Sequence, residues 1–322
     1  MQTETEQSNH DRHCETKTVS DSTRGSEHPP VSATRIAYSG IEGSFAFIAA
    51  SRIFPDAQLV PFHSFKEAYN SVTNGNCDAA VLPIENSYAG EVGQVSDLMF
   101  AGNLTVHGVY ELSISQCLLG LPGSSISDIT HVISHPQALE QCGEYIGRHG
   151  WKTVPYENTA RAARSVAREG DITQGAIASA ETAELYGLSV LAENINESAQ
   201  NTTRFAVFTN PGPKKDPSDK SMTSDLHAPE GEDKDDCNTI LLFTIKHVAG
   251  SLAKAVSIIG LHDYNMRVIR SRPAKDMNWQ YYFYTELEGS LDTIEGQAML
   301  AGLRCACELI KIVGTYQPDV SI

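Results

Sequence analysis

The residues best suited to chemistry in this 322-residue chain form none of the common reactive sets. There is no Ser/His/Asp order, no metal-ligand spacing and no phosphate-binding loop, and Gly40-x-x-Gly43 alone is weak grounds for a nucleotide. The sequence offers instead three polar turns, each following an apolar run: Gly40-Ile41-Glu42-Gly43-Ser44-Phe45, Pro83-Ile84-Glu85-Asn86-Ser87-Tyr88-Ala89-Gly90, and Ser134-His135-Pro136-Gln137. A helix opening at such a turn presents free N–H groups and a partial positive charge, which attract anions. Each turn taken singly is more often a plain cap, but three in one module favour a cleft for a small anion. Glu85 and Asn86 close an apolar strand, where a binding residue would project and where any strand meets solvent. His135 reads more readily as a helix-entry residue than as a base. Gln137 and Gln141 share one helical face, and Ala138 and Cys142 another, so one pair is expected toward the cleft and the other toward the sheet. In Asn201-Thr202-Thr203-Arg204-Phe205, an extended backbone points Thr203 and Phe205 one way and Thr202 and Arg204 the other. On spacing alone this is a strand whose threonines reflect β propensity.

Positioning these turns requires alternating strands and helices, which the chain supplies from Arg35 to about Asn210. IAYSG, QLVPF, DAAVLPIEN, ITHVIS, GAIAS and FAVFTN read as strands. FAFIAASRIF, SFKEAYNSVTNG, EVGQVSDLMFAG, PQALEQCGEYIGRHG, NTARAARSVARE and ETAELYGL read as helices, with Pro136 at a first turn and Asn158/Thr159 as a cap. The alternation predicts an α/β fold with a mostly parallel sheet. TVHGVYELSISQCLLG is long and extended, and predicts a crossing between two lobes. Residues 1–33 are polar and expected to be disordered. Residues 211–236 are charged and Pro-containing, which predicts a linker. From Cys237 to about Gln317 the order is strand (TILLFTI), helix (SLAKAVSIIGLHD), strand (MRVIRS), strand (QYYFYTELE), helix (TIEGQAMLAGLRCACELI), strand (KIVGTYQ), the ferredoxin-like βαββαβ pattern.

A net charge of -16 argues against a nucleic-acid partner, which needs a basic footprint, yet leaves room for a locally positive cleft. No stretch is long and apolar enough to span a membrane, and the polar start is not a secretory signal. Seven scattered cysteines without a C-x-x-C pair read as reduced thiols of a cytoplasmic protein. His10, His13 and Cys14 make at most an accidental metal cluster in a polar tail.

In their order, these blocks resemble the prephenate dehydratase family: its Gly-x-x-Gly-Ser/Thr-Phe/Tyr turn (Gly40 to Phe45), Pro-x-Glu-Asn-Ser/Thr block (Pro83 to Ser87), His-Pro-Gln block ending in Gln-Cys (His135 to Cys142) and Thr-Arg-Phe block (Thr203 to Phe205). The C-terminal module resembles an ACT domain, the usual regulatory partner of that enzyme. The resemblance implies an α/β fold: a two-lobed catalytic domain like the type II periplasmic binding proteins at 34–210, with crossings near 108–112 and 192–205, and a ferredoxin-like ACT domain at 237–322. No chorismate mutase module is expected ahead of it. The implied reaction is the decarboxylating dehydration of prephenate to phenylpyruvate in phenylalanine biosynthesis, with no cofactor and no metal.

By the same resemblance Thr203 is the catalytic residue, donating or relaying a hydrogen bond to the leaving hydroxyl. Ser44, Phe45, Glu85, Asn86, Ser87, Gly90, His135, Gln137, Ala138, Gln141, Thr202, Arg204 and Phe205 are the implied substrate-binding residues. Phe205 would pack the ring side, and Arg204 would either meet a carboxylate or hold the segment. Phenylalanine, the implied effector, would bind at Ala249, Gly250, Ser251, Leu252, Asn265 and the block Arg270-Ser271-Arg272-Pro273. The family has Gly-Ala-Leu and Glu-Ser-Arg-Pro there, so Ser251 replaces Ala and Arg270 replaces Glu. The charge reversal matters if residue 270 bears on ligand or interface, and hardly at all if it faces solvent. A homodimer or homotetramer is expected. Two other readings stay open: arogenate dehydratase, and a non-catalytic two-lobed small-molecule sensor.

Overall fold

The computed structural model describes residues 35–198, 200–211, 237–275, 280–318 and 320–322. The expected N-terminal tail, with His10, His13 and Cys14, and nearly all of the expected linker lie outside these residues. The first lobe begins β1 (Arg35–Ser39), α1 (Phe45–Ile53), β2 (Gln58–Phe62), α2 (Phe65–Thr73), β3 (Ala79–Asn86), β4 (Gly90–Glu91), α3 (Gly93–Ala101) and β5 (Thr105–Ser113). The second holds β6 (Cys117–Gly120), β7 (His131–Ser134), α4 (Pro136–Gln141), α5 (Gly143–His149), β8 (Lys152–Pro155), α6 (Thr159–Glu169), β9 (Gln174–Ala178), α7 (Ala180–Tyr186) and β10 (Ser189–Ala192). The chain then returns to the first lobe as β11 (Thr202–Thr209).

The apolar run of β3 is covered on both faces, as a central strand must be. One face meets α1 in a core with Ile36, Ala49 and Val81; the other meets α2 and α3 around Tyr69, Val95 and Met99. Parallel pairing is confined in these lobes to β2-β1-β3, β8-β7-β9 and one short C-terminal strand. β11 lies antiparallel between β3 and β5, and β6 lies antiparallel between β9 and β10. The sheets are therefore mixed rather than mostly parallel. The chain passes between lobes directly at 114–116 and through bends and a turn among the described residues of 193–201, without the helical crossover that a parallel neighbour requires. TVHGVYELSISQCLLG divides into β5 and β6, in different sheets. The lobes change at 114–116 and again at 193–201, so the first expected crossing, 108–112, lies inside β5. The single helix expected after Pro136 is broken into α4 and α5 at Cys142.

The C-terminal module is β12 (Asn238–Ile245), α8 (Ser251–Leu261), β13 (Met266–Pro273), β14 (Tyr281–Glu288), α9 (Ile294–Ala306) and β15 (Cys307–Tyr316), in sheet order β13-β14-β12-β15. This is the expected βαββαβ arrangement, with both helices packed on Leu241, Phe243 and Leu287. The helix expected as far as Ile310 stops at Ala306, where a run rich in β-branched residues (Ile310, Ile312, Val313) takes up strand pairing. The sheet's other face is not free. Ile240, Leu242, Tyr282, Tyr284, Val313 and Tyr316 share one core with Val95, Met99, Val106 and Phe208 of the first lobe, and Tyr282 stacks on Phe100 at 4.3 Å. Gly314 permits this approach, since a Cβ there would lie 2.0 Å from the Val106 carbonyl oxygen. Lys311 Nζ donates to the Met99 carbonyl at 2.5 Å, capping α3 from the other module. The final strand, β16 (Val320–Ser321), pairs parallel with β5, so the C-terminal module ends before residue 322 and the last residues extend the first lobe's sheet. Among the described residues no helix is long and apolar enough to cross a membrane.

Candidate active site

β3 and β11 pair in a register that sets Thr203 opposite Asn86 and Arg204 opposite Glu85. Strand alternation turns these consecutive pairs to opposite faces. On the first face, Asn86 is the hub. Its Oδ1 accepts from the backbone N–H groups of Tyr88 (3.0 Å) and Ala89 (2.9 Å), a local turn motif that fixes which way the amide points. Its Nδ2 must then face inward, where it donates to Thr203 Oγ1 (2.9 Å) and Asn201 Oδ1 (2.8 Å). Asn201 Nδ2 in turn donates to Gln141 Oε1 at 3.0 Å. Asn86, Asn201 and Gln141 are 8%, 2% and 4% exposed, so these amides form a buried relay of settled polarity. Thr203 therefore receives a hydrogen bond on its oxygen, and among the described residues none accepts its own proton. Its hydroxyl proton is therefore available to a group other than Asn86.

The second lobe reaches this cluster through α4. Gln137 Nε2 lies 3.4 Å from Asn86 Oδ1, and Gln141 holds Asn201, so the glutamine pair faces the first lobe's Asn86–Asn201 cluster. Ala138, expected to touch substrate, is instead 2% exposed in the second lobe's core with Cys142; the Cys142 thiol is pushed up to about 12, chiefly by burial and then by Glu197. His135 caps α4, its Nδ1 accepting from the Gln137 N–H at 3.3 Å. Burial lowers its pKa, which suits that acceptor role. Ser44 caps α1 through Phe47 N–H (3.3 Å) in the turn where Gly40 has φ +113. Phe45 is half-buried against the α1 core. Thr182 of α7 closes over that turn, donating to the Gly43 carbonyl at 2.8 Å. Ser87 binds the returning segment, donating to Gln200 O (3.0 Å) and accepting from Thr202 N–H (2.9 Å). Thr202 contributes its carbonyl, which accepts from Ser87 N–H at 2.8 Å. Gly90, at φ +80, pairs with Asn86 to close the β3–β4 hairpin.

Three other assignments change. Phe205 shares Thr203's face but is 2% exposed in the α1 core, below the level of the cleft; the pairing with β3 shifts between Arg204 and Phe205, which separates their surroundings. Glu85 and Arg204 point away from the cleft, toward the C-terminal module. Arg204 Nη1 donates to Glu85 Oε2 (3.1 Å) and Glu286 Oε1 (3.0 Å), and its Nη2 to Glu286 Oε2 (2.9 Å) and Tyr316 OH (2.7 Å). Of the two roles open to Arg204, holding the segment is the one its contacts serve.

Arg270 and Arg272, expected at an effector, likewise cross to the first module. Arg270 pairs with Glu85, so residue 270 is an interface position rather than a solvent-facing one. Arg272 Nε donates to Asp97 Oδ1 at 3.0 Å. Burial alone would raise the Asp97 carboxyl, but Arg272, Lys275 and Tyr282 hold it below the usual range. Ser271 and Pro273 alternate to the opposite, exposed face. Ala249, Gly250, Ser251 and Leu252 lie at the start of α8, where Gly250 has φ +83. Asn265 Nδ2 donates to Glu288 at 2.9 Å.

Asn201 and Glu286 had no assigned role in the sequence reading. A charged residue inside the tyrosine-rich strand YYFYTELE was the available signal for Glu286; Asn201 carried none beyond its place in the block. Two shallow hollows of about 570 and 520 Å³ open elsewhere, by Ser125 and Trp151 and by Tyr38 and Arg164. Neither is lined by the Thr203–Asn86 pair.

A family model described as prephenate dehydratase matches residues 36–213. An Arabidopsis thaliana protein named arogenate dehydratase/prephenate dehydratase 1, chloroplastic, is 33% identical over 303 residues, 90% of this chain and 73% of that one. The bifunctional chorismate mutase/prephenate dehydratase of Enterobacter agglomerans is 32% identical over 297 residues, 91% of this chain and 73% of that one. Among solved structures, the prephenate dehydratase of Arthrobacter aurescens in complex with L-Phe has a TM-score of 0.77 at 26% identity, covering 88% of this chain and 90% of that one. A protein described as a novel type of quorum-quenching acylase, GqqA, also has a TM-score of 0.77, at 28% identity and 88% and 98% coverage.

Proposed function

The chain belongs to the prephenate dehydratase family, and from that premise we propose that it converts prephenate to phenylpyruvate, water and carbon dioxide at the Thr203–Asn86 pair. The observation that carries this reading is the polarity of the pair: Asn86 donates to Thr203 Oγ1, which leaves the threonine proton for the departing ring hydroxyl. A threonine hydroxyl is a weak acid, so its part is to hydrogen-bond the leaving group as charge builds there, and the proton that turns the departing hydroxide into water comes from solvent. Loss of the ring carboxylate as carbon dioxide supplies the electrons, and the new aromatic ring supplies much of the driving force. The cleft has to orient the dianion and exclude water.

Arogenate carries an ammonium group where prephenate carries a keto group. The cluster of Asn86, Gln137, Gln141, Asn201 and Thr203 is neutral; of the two carboxylates adjacent to it in sequence, Glu85 is engaged by Arg204 and Arg270 and Glu140 is exposed. That neutrality supports the keto acid. An acylase, the activity described for one structural relative, would need a nucleophile with a base beside it. Asn86 Nδ2 is a donor and takes no proton from Thr203, which argues against that chemistry. Phenylalanine is proposed as the effector at the C-terminal module, an ACT domain on this reading, with a homodimer or homotetramer as the working state. The free thiols of Cys77, Cys117, Cys142, Cys305 and Cys307 support a reducing, cytoplasmic setting.

The test is to supply prephenate and arogenate separately, following phenylpyruvate by absorbance in alkali and phenylalanine by chromatography, each with and without added L-phenylalanine. Prephenate is expected to win in kcat/KM by about 10-fold or more, the effect of one unmatched buried polar group, with phenylalanine lowering the rate. Preference for arogenate would replace the substrate assignment, and binding without turnover of either would point to a sensor.

A further inference from the structure

We propose that Glu286, a buried carboxylate of the C-terminal module, is a positioning residue for the reaction, acting through Arg204 on Thr203; this rests on the function proposed above. Glu286 is 1% exposed. A carboxylate so deeply buried is tolerated only when paired and fully hydrogen-bonded. Both its oxygens are served: Oε1 accepts from Arg204 Nη1 (3.0 Å) and Tyr284 OH (2.6 Å), Oε2 from Arg204 Nη2 (2.9 Å) and Tyr316 OH (2.7 Å). Its cation comes from the other module, held in the bidentate geometry that fixes a guanidinium's orientation.

Where this clamp falls is the second observation. Arg204 is one peptide from Thr203, and Glu85, which completes the clamp, is one peptide from Asn86. The bonds therefore grip the back of the two strands whose front carries the reacting pair. The β3–β11 register shifts immediately beyond Arg204, so the ladder itself is irregular at the point where Thr203 must be aimed. A buried ion pair is a poor source of stability compared with an apolar pair of similar volume, and is better suited to fixing register. Arg270 shares Glu85, so a ligand that moves β13 has a short path to Asn86.

The test uses the full chain and a double-mutant cycle of Glu286→Gln, Arg204→Gln and the double variant. kcat and KM for prephenate are measured together with amide hydrogen exchange in peptides spanning 84–89, 200–205 and, as a control, 174–178. Glu286→Gln is expected to lower kcat about 10- to 100-fold, the scale of a small misplacement, with KM within about threefold. The double variant should be no slower than the slower single one, and exchange should rise in 84–89 and 200–205 but not in 174–178. Should Glu286→Gln fail to fold, Tyr316→Phe removes one donor to the same carboxylate and should cost about 2- to 10-fold in kcat. Wild-type kcat in the Glu286 variant, or losses that multiply in the double variant, would overturn the proposal. If the wild-type chain turns over neither prephenate nor arogenate, the proposed function fails, and the exchange data alone decide on positioning: a rise confined to 84–89 and 200–205 upholds it, no change overturns it.

Discussion

Thr203 has one proton to give, and Asn86 decides where it goes. The Asn86 carbonyl is held by two backbone N–H groups, so its amide cannot turn round to accept from the threonine. Asn86→Asp keeps the volume and the turn but replaces the donor with an acceptor. The Thr203 proton would then bond to the new carboxylate and be withheld from the leaving group, and kcat is expected to fall about 100-fold or more. A protonated carboxyl can donate again, so the variant's relative activity should recover as pH is lowered toward the carboxylate range. A pH–rate profile checks this, and a flat ratio to wild type across pH would rule out the polarity argument. Phe205 shows how little strand alternation settles by itself: it predicts the right face and the wrong depth.

The paired strands β3 and β11 carry the two readings of the site, reacting residues in front and the module clamp behind. The contact that brings the C-terminal module this close is β15 crossing β5 at Gly314. Gly314→Ala would drive a methyl group into the Val106 carbonyl, 2.0 Å away, and is expected to destabilise the chain by about 1–3 kcal/mol, an overpacking cost. Thermal denaturation reads this directly, and an unchanged Tm would mean that the modules do not meet there in solution. Much at this scale was legible in the sequence. Strands buried on both faces read as apolar runs, and Ser44, Asn158 and Pro136 mark helix starts that the structure keeps. Strand direction was not legible, because whether β11 runs parallel or antiparallel to β3 depends on a lobe crossing rather than on local pattern. Nor was the boundary of α9 and β15, where tertiary pairing overrides helical spacing. Glu85 and Arg204 were visible as a charged pair in the right blocks, but their partners, Glu286, Tyr316 and Arg270, lie 82 or more positions from the residue each binds, in a separate module.

At the scale of the molecule, the modules are joined by one shared core and by charge pairs that titrate. For Glu286 burial acts to raise the pKa, but the donors from Arg204, Tyr284 and Tyr316 prevail and hold it below the ordinary carboxylate range. Asp97 is lowered in the same sense. A carboxyl with a depressed folded-state pKa contributes stability above its unfolded pKa and loses it as pH falls through the folded value. Docking of the C-terminal module should therefore weaken below about pH 4. Calorimetry would show a transition that is shared at neutral pH and that shifts down or divides in acid; a pH-independent transition would remove these pairs from the account of docking. The most direct measurement of all is the steady-state rate of phenylpyruvate release from prephenate by the full chain and by Thr203→Val, with substrate affinity measured alongside. Valine keeps the shape and the strand preference and removes only the hydroxyl. kcat is expected to fall by about 100-fold or more while Kd for prephenate stays within about threefold; a Thr203→Val enzyme working near the wild-type rate would contradict the assignment of Thr203 as the group that assists departure of the hydroxyl.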